Sequence, residues 1–391
     1  MRPALKSGLL PVWRDRDTLQ IGIDPRRAIA LSGMSQAALV VGLLDGSRDR
    51  DQVVAAAAAR GIPVRATERI LTVLAAAGVL DDFPASTLRG LPAPERARLA
   101  SELATASLAH GDHDGGARCI ARRRATSVRI DGDRRVAHAV ARILCSSGVG
   151  EVRVGPPGTD SCDQTCAPDA DACRPKGAPH ADACRPKGAQ HTDPGRPNGA
   201  PHADLCRPKG AQHTDPGSPN GAPHADLCRP KCPPASPPGW GRLPCHQAKP
   251  GFVVLVGRFP QDLAARLVAD RIPHLAVLAT EAIGVVGPLV IPGKTACLRC
   301  VDYARAGNDP AWPLILAQIA TRRPDPPACD AVLTAAVSSQ AAAQVLTALD
   351  KEPSASAAAN GTLELVMPDW RWRRRSWSQH PACPCASHTV V

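Results

Sequence analysis

The chain has 391 residues, which is enough for two or three domains. Its hydrophobic content of 44% suits a globular protein, but 40 prolines and only 3% aromatic residues predict folded parts diluted by an irregular segment. The net charge of +11 is scattered along the chain, which argues against nucleic acid as a partner. The sequence shows no charged-then-apolar leader and no apolar run long enough to span a bilayer, so we expect a cytoplasmic protein without a membrane segment. In that reducing compartment the 15 cysteines indicate metal ligands or free thiols.

Residues 1–85 are predicted to form a small winged-helix-like α+β domain. Leu19 and Ile21 alternate with polar residues in a strand pattern, and residues 28–31 can pair back on them. Ser35 is a candidate N-cap for a helix through Leu44, and two further helices follow before a short wing-like strand at Val79.

Such a domain binds either DNA or a peptide. A DNA reader needs several basic or amide side chains at the start of its third helix, and this helix offers Arg65 and Arg69 against Glu68. An exposed sheet edge that accepts an extended peptide strand explains the domain at least as well. We keep winged-helix DNA binding as an alternative.

Residues 86–124 are predicted to be a linker and a helix, and residues 125–155 a first βαβ unit. A strand at 127–130 leads into a helix at 136–146, and Gly148-Val149-Gly150 turns the chain into a second strand at 151–154. This order is typical of a nucleotide-binding opening.

The glycine pattern of that opening is incomplete. Gly132 holds the first position and is the single candidate nucleotide-contacting residue, but Arg134 stands at the second position and Ala137 at the third. An arginine side chain there obstructs the approach of a phosphate to the backbone. The second strand ends at Gly155 instead of an acidic residue for a ribose hydroxyl. The sequence therefore predicts an eroded nucleotide site.

Residues 156–250 are predicted to be a disordered insert. From Ala170 an eleven-residue unit rich in Pro, Gly, Asp, His and Lys occurs six times, the last copy being cut short at Cys232. The unit brings regularly spaced cysteines and histidines, and a selective metal site on such a chain is disfavoured.

The fold resumes over residues 251–391. Residues 252–256 form a continuous apolar run typical of a strand buried on both faces, and a second strand is predicted at 274–278. Helices are predicted at 261–269, from Asp309 to Ile319, and after an Asp330 cap. The end is a hairpin in which tryptophan and arginine alternate. This alternation fits a nucleic-acid surface with stacking and phosphate contacts, but we favour a strand that packs its tryptophans on one face and has its arginines in water.

Two close cysteine pairs flank the last part of the chain. Cys297-Leu298-Arg299-Cys300 and Cys383-Pro384-Cys385 have the form of a four-thiolate zinc site, in which each short loop supplies two ligands. The alternative is two unrelated thiol pairs or disulfides. A zinc site requires residues 301–382 to fold back on themselves, so this prediction also constrains the fold.

These features resemble the ThiF/MoeB and ubiquitin-activating superfamily over residues 125–386. The resemblance rests on the βαβ unit, the Val286-Gly287-Pro288 turn, the first cysteine pair and the closing sequence from His380 to Cys385. That closing sequence is similar to members associated with azole-forming modification of ribosomal peptides (RiPPs). The N-terminal domain resembles the PqqD-like element that binds leader peptides. The implied fold is α/β, a Rossmann-like ThiF-type sheet with a zinc-stapled C-terminal hairpin, preceded by the winged-helix-like domain.

The resemblance implies a function with two versions. Active members bind ATP and magnesium and adenylate a carboxylate, but here the magnesium position reads Gly257-Arg258-Phe259-Pro260, and Cys329 is the one candidate thiol carrier. We therefore expect a non-adenylating scaffold, with no catalytic residue, that binds a precursor leader peptide and presents it to a partner cyclodehydratase. The alternative is a divergent ATP-dependent adenylyltransferase. The resemblance also implies a homodimer.

Overall fold

The computed structural model describes residues 1–32, 36–82, 91–155, 249–259, 261–321 and 328–385. The predicted disordered insert, apart from Lys249 and Pro250, and the predicted N-cap at Ser35 lie outside these residues. The element limits given below refer to the described parts of the chain.

The N-terminal part combines two small sheets with three helices. Its strands are β1 (Pro3–Leu5), β2 (Pro11–Trp13), β3 (Thr18–Ile21), β4 (Ile29–Ser32) and β5 (Leu80–Asp82). Its helices are α1 (Ala37–Val41), α2 (Arg50–Ala58) and α3 (Val64–Ala76). Strands β2, β3 and β4 form an antiparallel sheet in that order, and β1 pairs with β5. Helix α1 ends before the predicted Leu44, and the strand expected as a wing pairs with the N-terminus instead.

Local sequence explains why these helices form. Asp49 caps α2 by accepting a hydrogen bond from the Gln52 N–H, and the Gln52 side chain accepts from the Asp49 N–H in return. Helix α3 buries Ile70, Leu71 and Leu74 from one face against the three-stranded sheet and its neighbours.

The predicted linker contains three helices, α4 (Ala93–Arg98), α5 (Ala100–His110) and α6 (Ala117–Arg124). It is anchored to the N-terminal part through buried Lys6, whose Nζ donates to the Ser107 carbonyl at 2.7 Å and lies 3.5 Å from Asp81. The Ser107 hydroxyl donates to the same Asp81 carboxylate at 2.6 Å. Among the described residues the buried Asp81 Oδ1 has no hydrogen bond, and the Lys6 ammonium at 3.5 Å compensates its charge.

The rest of the chain forms a seven-stranded sheet with helices on both faces. Its strands are β6 (Ser127–Gly132), β7 (Glu151–Gly155), β8 (Phe252–Val256), β9 (His274–Thr280), β10 (Ile283–Val290), β11 (Gly361–Val366) and β12 (Arg371–Ser376). Its helices are α7 (Arg134–Ser146), α8 (Gln261–Ala269), α9 (Leu298–Asn308), α10 (Trp312–Thr321) and α11 (Ala331–Asp350).

The strand order in the sheet is β12-β11-β10-β9-β8-β6-β7. The four neighbouring strands β7, β6, β8 and β9 are parallel to one another. Strand β10 is antiparallel to β9, β11 is antiparallel to β10, and β12 is antiparallel to β11. This mixed α/β architecture is consistent with the Rossmann-like, ThiF-type fold, and that coarse part of the fold prediction is confirmed.

The core lies between the sheet and two helices on one face. Val140 of α7 and Val337 of α11 are fully buried against the β6 and β8 side chains. Helix α8 covers the other face through Leu263 and Leu267, next to Val253. All five residues of β8 are buried, as its apolar run predicts for a central strand.

One described helix, α11, is long and apolar enough to cross a membrane by length and composition alone. Half of its apolar window is buried inside the protein, and its Leu333, Val337 and Ala341 are fully buried in the core. The burial identifies α11 as a core helix of the sheet.

Candidate metal centre and nucleotide site

The two predicted cysteine pairs come together in the structure. Cys297, Cys300, Cys383 and Cys385 are all buried, and their sulfur atoms lie within 4.8 Å of one another. The Sγ–Sγ distances are 3.7 Å for Cys297–Cys300, 3.5 Å for Cys297–Cys383 and 3.4 Å for Cys300–Cys385. Zinc–sulfur bonds of about 2.3 Å in a tetrahedron place the sulfurs about 3.8 Å apart. The donor set and its spacing therefore fit a zinc ion, and a bound ion would crosslink the C-terminal segment to the sheet.

Each cysteine pair is positioned by a defined local structure. Cys297 is the N-cap residue of α9, and Cys300 lies in its first turn. The loop before α9 is held by Asn360, whose Oδ1 accepts from the Ala296 N–H at 2.8 Å. The second pair follows β12 in a turn closed by a hydrogen bond from the Cys383 N–H to the His380 carbonyl at 2.9 Å. The His380 ring stacks on Tyr303 of α9 at 5.0 Å, so the turn packs against the helix that carries the first pair.

The electrostatics of the cluster favour a cation. Burial raises the pKa of Cys297 to about 11, and burial together with the neighbouring thiols raises the pKa of Cys385 well above its ordinary value. The pKa of Cys300 is lowered: burial opposes ionisation, but hydrogen bonds at the sulfur, first from the His380 backbone, outweigh it. Buried thiolates this close repel one another, and a divalent metal ion offsets that repulsion.

A cavity of about 120 Å³ adjoins the cysteine cluster. Its walls include Val268 of α8 and His274 at the start of β9. The His274 Nδ1 lies 3.0 Å from the Ile272 carbonyl, and among the described residues its buried Nε2 has no hydrogen-bond partner. Burial lowers the pKa of His274 to about 4, so the ring is neutral at pH 7.

Gly132, the predicted nucleotide-contacting residue, has a structural requirement of its own. It is the last residue of β6, its φ is +130°, and a Cβ at this position would lie 1.8 Å from the Val256 carbonyl oxygen. The glycine is needed because β6 and β8 approach each other closely at this point. Its presence therefore does not by itself indicate phosphate binding.

The start of α7, where a phosphate would bind in a ThiF-like protein, is already capped. Asp133 Oδ1 accepts hydrogen bonds from the N–H groups of Arg135, at 2.9 Å, and Val136, at 3.4 Å. The Arg135 guanidinium donates to the Cys329 carbonyl at 2.6 Å, so this side chain is held across the loop that precedes α11. A carboxylate at a helix N-terminus accepts hydrogen bonds from the same N–H groups that would bind a phosphate. It also offsets the positive end of the helix dipole that would attract one. The residues present here are a poor match for ATP.

Cys329, the candidate thiol carrier, is buried and lies 3.3 Å from the Thr334 hydroxyl. A thiol packed this deeply is inaccessible to a protein substrate, and Cys329 is instead a small residue of the main core.

A cluster that the sequence analysis missed joins α5, α6 and α11. His110, Cys119 and Asp350 have their polar atoms within 4.8 Å of one another. The Asp350 carboxylate is also held by Arg123, whose Nε and Nη2 each donate to it at 2.7 Å. Because the guanidinium occupies both carboxylate oxygens, the cluster is organised as a buried ion pair. The run Arg122–Arg124 was the available sequence signal, but nothing in it identifies a partner 227 residues away.

No protein-family model and no curated protein matches this chain. Solved structures do match it in fold. E. coli MccB with succinimide aligns over 99% of this chain and 100% of its own, with a TM-score of 0.57 and 11% identity. E. coli MccB with ATP aligns over 98% and 99%, with a TM-score of 0.55 and 12% identity. The heterocyclase TruD aligns over 98% of this chain but only 42% of its own, with a TM-score of 0.56 and 14% identity.

At these identities the shared property is the fold. The neighbours are consistent with a ThiF-like architecture of the kind found in MccB and in a heterocyclase, so the coarse form of the family prediction is supported. The alignments extend over almost the whole chain, so the N-terminal part and the sheet match together in one neighbour.

Proposed function

We propose that this chain is a ThiF-like protein of ribosomal-peptide modification that binds a precursor leader peptide and presents it to a partner cyclodehydratase, without forming an adenylate itself. The observation that carries the second half of this proposal is the Asp133 cap on α7. The negative charge of the Asp133 carboxylate lies at the start of α7, where an active member must bind the phosphates of ATP. This charge would repel the phosphates.

Two further features support a scaffold. The position expected to hold magnesium, Gly257-Arg258-Phe259-Pro260, has no carboxylate. The carboxylate of Asp131 on β6 is buried and forms an ion pair with Arg129 at 3.0 Å, so its role is to stabilise the fold. Zinc held by the four cysteines would have a structural role, because all four coordination positions are filled by protein thiolates.

ATP–pyrophosphate exchange tests the scaffold proposal. We expect the purified, zinc-loaded protein to show no magnesium-dependent exchange, either alone or with candidate precursor peptides. Asp133→Asn is the informative variant, because the amide oxygen can still cap α7 while the charge is removed. Robust exchange by the wild-type protein would refute the proposal and establish the adenylyltransferase alternative.

The leader peptide is assigned to the β4 edge of the N-terminal sheet. The hydrogen bonds from Gly22 N–H to the Leu10 carbonyl and from Arg14 N–H to the Thr18 carbonyl set the β2–β3 register. Because hydrogen-bonded pairs alternate along an antiparallel ladder, Pro11 of β2 then faces outward, where it offers no N–H.

The same alternation directs the N–H and C=O groups of Ala30 and Ser32 outward from β4. Both residues are exposed, so β4 provides the edge to which a peptide strand can be added.

The neighbours' own complexes are compatible with a peptide ligand. One MccB structure contains AMPCPP and MccA, and one heterocyclase structure contains substrate and cofactor. For this chain, the probe is a set of synthetic leader peptides from precursor genes adjacent to its own gene. We expect binding to protect the amides of Ala30 and Ser32 from hydrogen exchange and to leave that of Trp13 unchanged. Protection at Trp13 alone would contradict the assignment to β4.

We also propose that α10 packs against a second copy of this chain. Its sequence from Trp312 to Ile319 is apolar on all sides except Gln318, yet none of its described residues is buried and Leu314 is 65% exposed. Leu314→Glu should convert a dimer into a monomer in analytical ultracentrifugation. Val332→Glu, at an exposed apolar residue on α11, is the matched control and should leave the dimer intact.

A further inference from the structure

The outer strand of the large sheet, β12, is exposed along its whole length. All six residues from Arg371 to Ser376 are exposed, and on one side the strand pairs with β11. The hydrogen bond from the Trp377 N–H to the Asn360 carbonyl fixes the alternation of the ladder. By that alternation, the N–H and C=O groups of Trp372, Arg374 and Ser376 point away from β11. The edge therefore offers three consecutive sets of outward backbone donors and acceptors.

The two faces of β12 carry different chemistry. Arg371, Arg373 and Arg375 lie on the face that points to water, with side chains 81%, 73% and 62% exposed. Their partners are two carboxylates: Asp369 serves both Arg371 and Arg373, and Glu364 serves Arg375. Exposed ion pairs of this kind contribute little, so a new carboxylate can replace them at low cost.

On the opposite face, the Arg374 side chain is not available to a ligand. It donates to the backbone carbonyls of Ala357 and Ala359 and to the Ser376 hydroxyl, which ties the edge to the loop before β11. Trp372 is next to it on this face and is 37% exposed. The edge is thus basic on one face and apolar near its start on the other.

We propose that β12 binds an extended acidic peptide segment of a partner protein by strand addition, with acidic side chains at alternate positions facing Arg371, Arg373 and Arg375. The intervening side chains would lie on the face of Trp372, where an apolar residue is favoured. This surface is separate from the β4 edge, and the proposal does not depend on leader-peptide binding there.

Charge selects this occupant over a second copy of the chain. Pairing β12 with β12 of another molecule would bring arginines opposite arginines, and like charges in cross-strand pairs are destabilising. The same arginines protect the free edge from aggregation until a strand of opposite charge arrives.

Geometry favours a peptide over single-stranded nucleic acid. A nucleic-acid strand would need to stack its bases on tryptophan while its phosphates contact the neighbouring arginines. Here Trp372 and the three exposed arginines lie on opposite faces of the strand. Trp377 lies beside Arg375, but it is half-buried and its ring is contacted by both Arg375 and Arg305. A nucleic-acid strand on the arginine face would therefore find no open aromatic ring on β12 or at Trp377 for stacking. The outward carbonyls of the edge would also repel phosphates.

The test uses a short peptide of alternating Glu and Val and the full-length, zinc-loaded protein. A control peptide with Pro in place of each Val has the same charge but cannot pair with a strand edge. We expect binding of the Glu-Val peptide, binding at least about tenfold weaker for the Glu-Pro peptide, and protection of the Trp372, Arg374 and Ser376 amides from hydrogen exchange.

Charge reversal provides the second arm. Arg371→Glu/Arg373→Glu should weaken Glu-Val binding at least about tenfold and gain binding of a Lys-Val peptide, whereas Arg266→Glu, at a similarly exposed site on α8, should change neither. Zinc content and thermal unfolding establish that the variant is folded, and the exchange pattern of the wild-type protein tests the proposal independently. Equal binding of the Glu-Val and Glu-Pro peptides, or binding of single-stranded DNA with no binding of the Glu-Val peptide, would overturn the proposal.

Discussion

The Arg123–Asp350 ion pair provides the sharpest test of how the helical segment is attached to the sheet. The Arg123 side chain is 6% exposed and the Asp350 side chain 4%. Besides its two bonds to Asp350, the guanidinium donates to Glu102 at 2.8 Å and to the Ser147 carbonyl at 2.9 Å. Arg123→Met keeps most of the volume but removes the cation, and it leaves the Asp350 carboxylate buried without its main partner.

Breaking one side of a buried ion pair costs about 3–5 kcal/mol, because the remaining charge stays desolvated. We expect Arg123→Met to lower the free energy of unfolding by that amount, and Tm by roughly 10 °C. Urea unfolding followed by circular dichroism measures the first quantity, and calorimetry the second. The control is Arg118→Met on the same helix, where the side chain is 66% exposed and the loss should stay below about 1 kcal/mol.

The double variant Arg123→Met/Asp350→Leu separates charge from packing. Replacing both ions by apolar side chains is often neutral, so the double variant should recover part of the stability lost in Arg123→Met. The reasoning is wrong if Arg123→Met costs less than about 1 kcal/mol, or if the double variant is less stable than the single one.

Three further predictions concern the metal centre, the sheet and the insert. Cys300→Ser should lower bound zinc and folding yield together, because structural zinc contributes roughly 10–16 kcal/mol in small zinc peptides; one zinc per chain with an unchanged Tm would contradict the site. Gly132→Ala should cost at least about 3 kcal/mol in urea unfolding, because a Cβ there meets the Val256 carbonyl, whereas Gly307→Ala, in open space on α9, should be neutral or slightly stabilising. Deleting residues 165–235 should leave Tm within a few degrees, since the repeats have almost no apolar residues larger than alanine to form a core; a large drop in Tm would show that the insert contributes to the fold.

Local patterns in the sequence were sufficient to predict most strands and helices of the large sheet. The apolar run at 252–256 became a central strand buried on both faces, and Asp330 caps α11 through the Leu333 N–H as predicted. Such features depend on a few neighbouring residues, so a short window contains the information. The prediction for the N-terminal domain was less exact. The strand at Leu80 pairs with Pro3–Leu5 instead of forming a wing. A local pattern could not predict this pairing because it joins residues far apart in the chain.

The cysteine spacing identified which residues come together as a candidate metal centre, because two close thiol pairs can satisfy one tetrahedral ion without strain. From the sequence, Arg134 is the expected obstacle to a phosphate at the glycine turn. In the structure Arg134 is exposed, and it is the carboxylate of the neighbouring Asp133 that caps α7.

The sequence by itself therefore determined the types of the main elements, the four cysteines that could hold a metal ion and the absence of the full glycine pattern, since each depends on local spacing. Only the tertiary structure decided which sheet edges remain open, which arginines are held by buried contacts and which are exposed, and that Arg123 pairs with Asp350. Those properties arise when distant segments meet, and the free energy of burying or exposing a charge is set by that meeting.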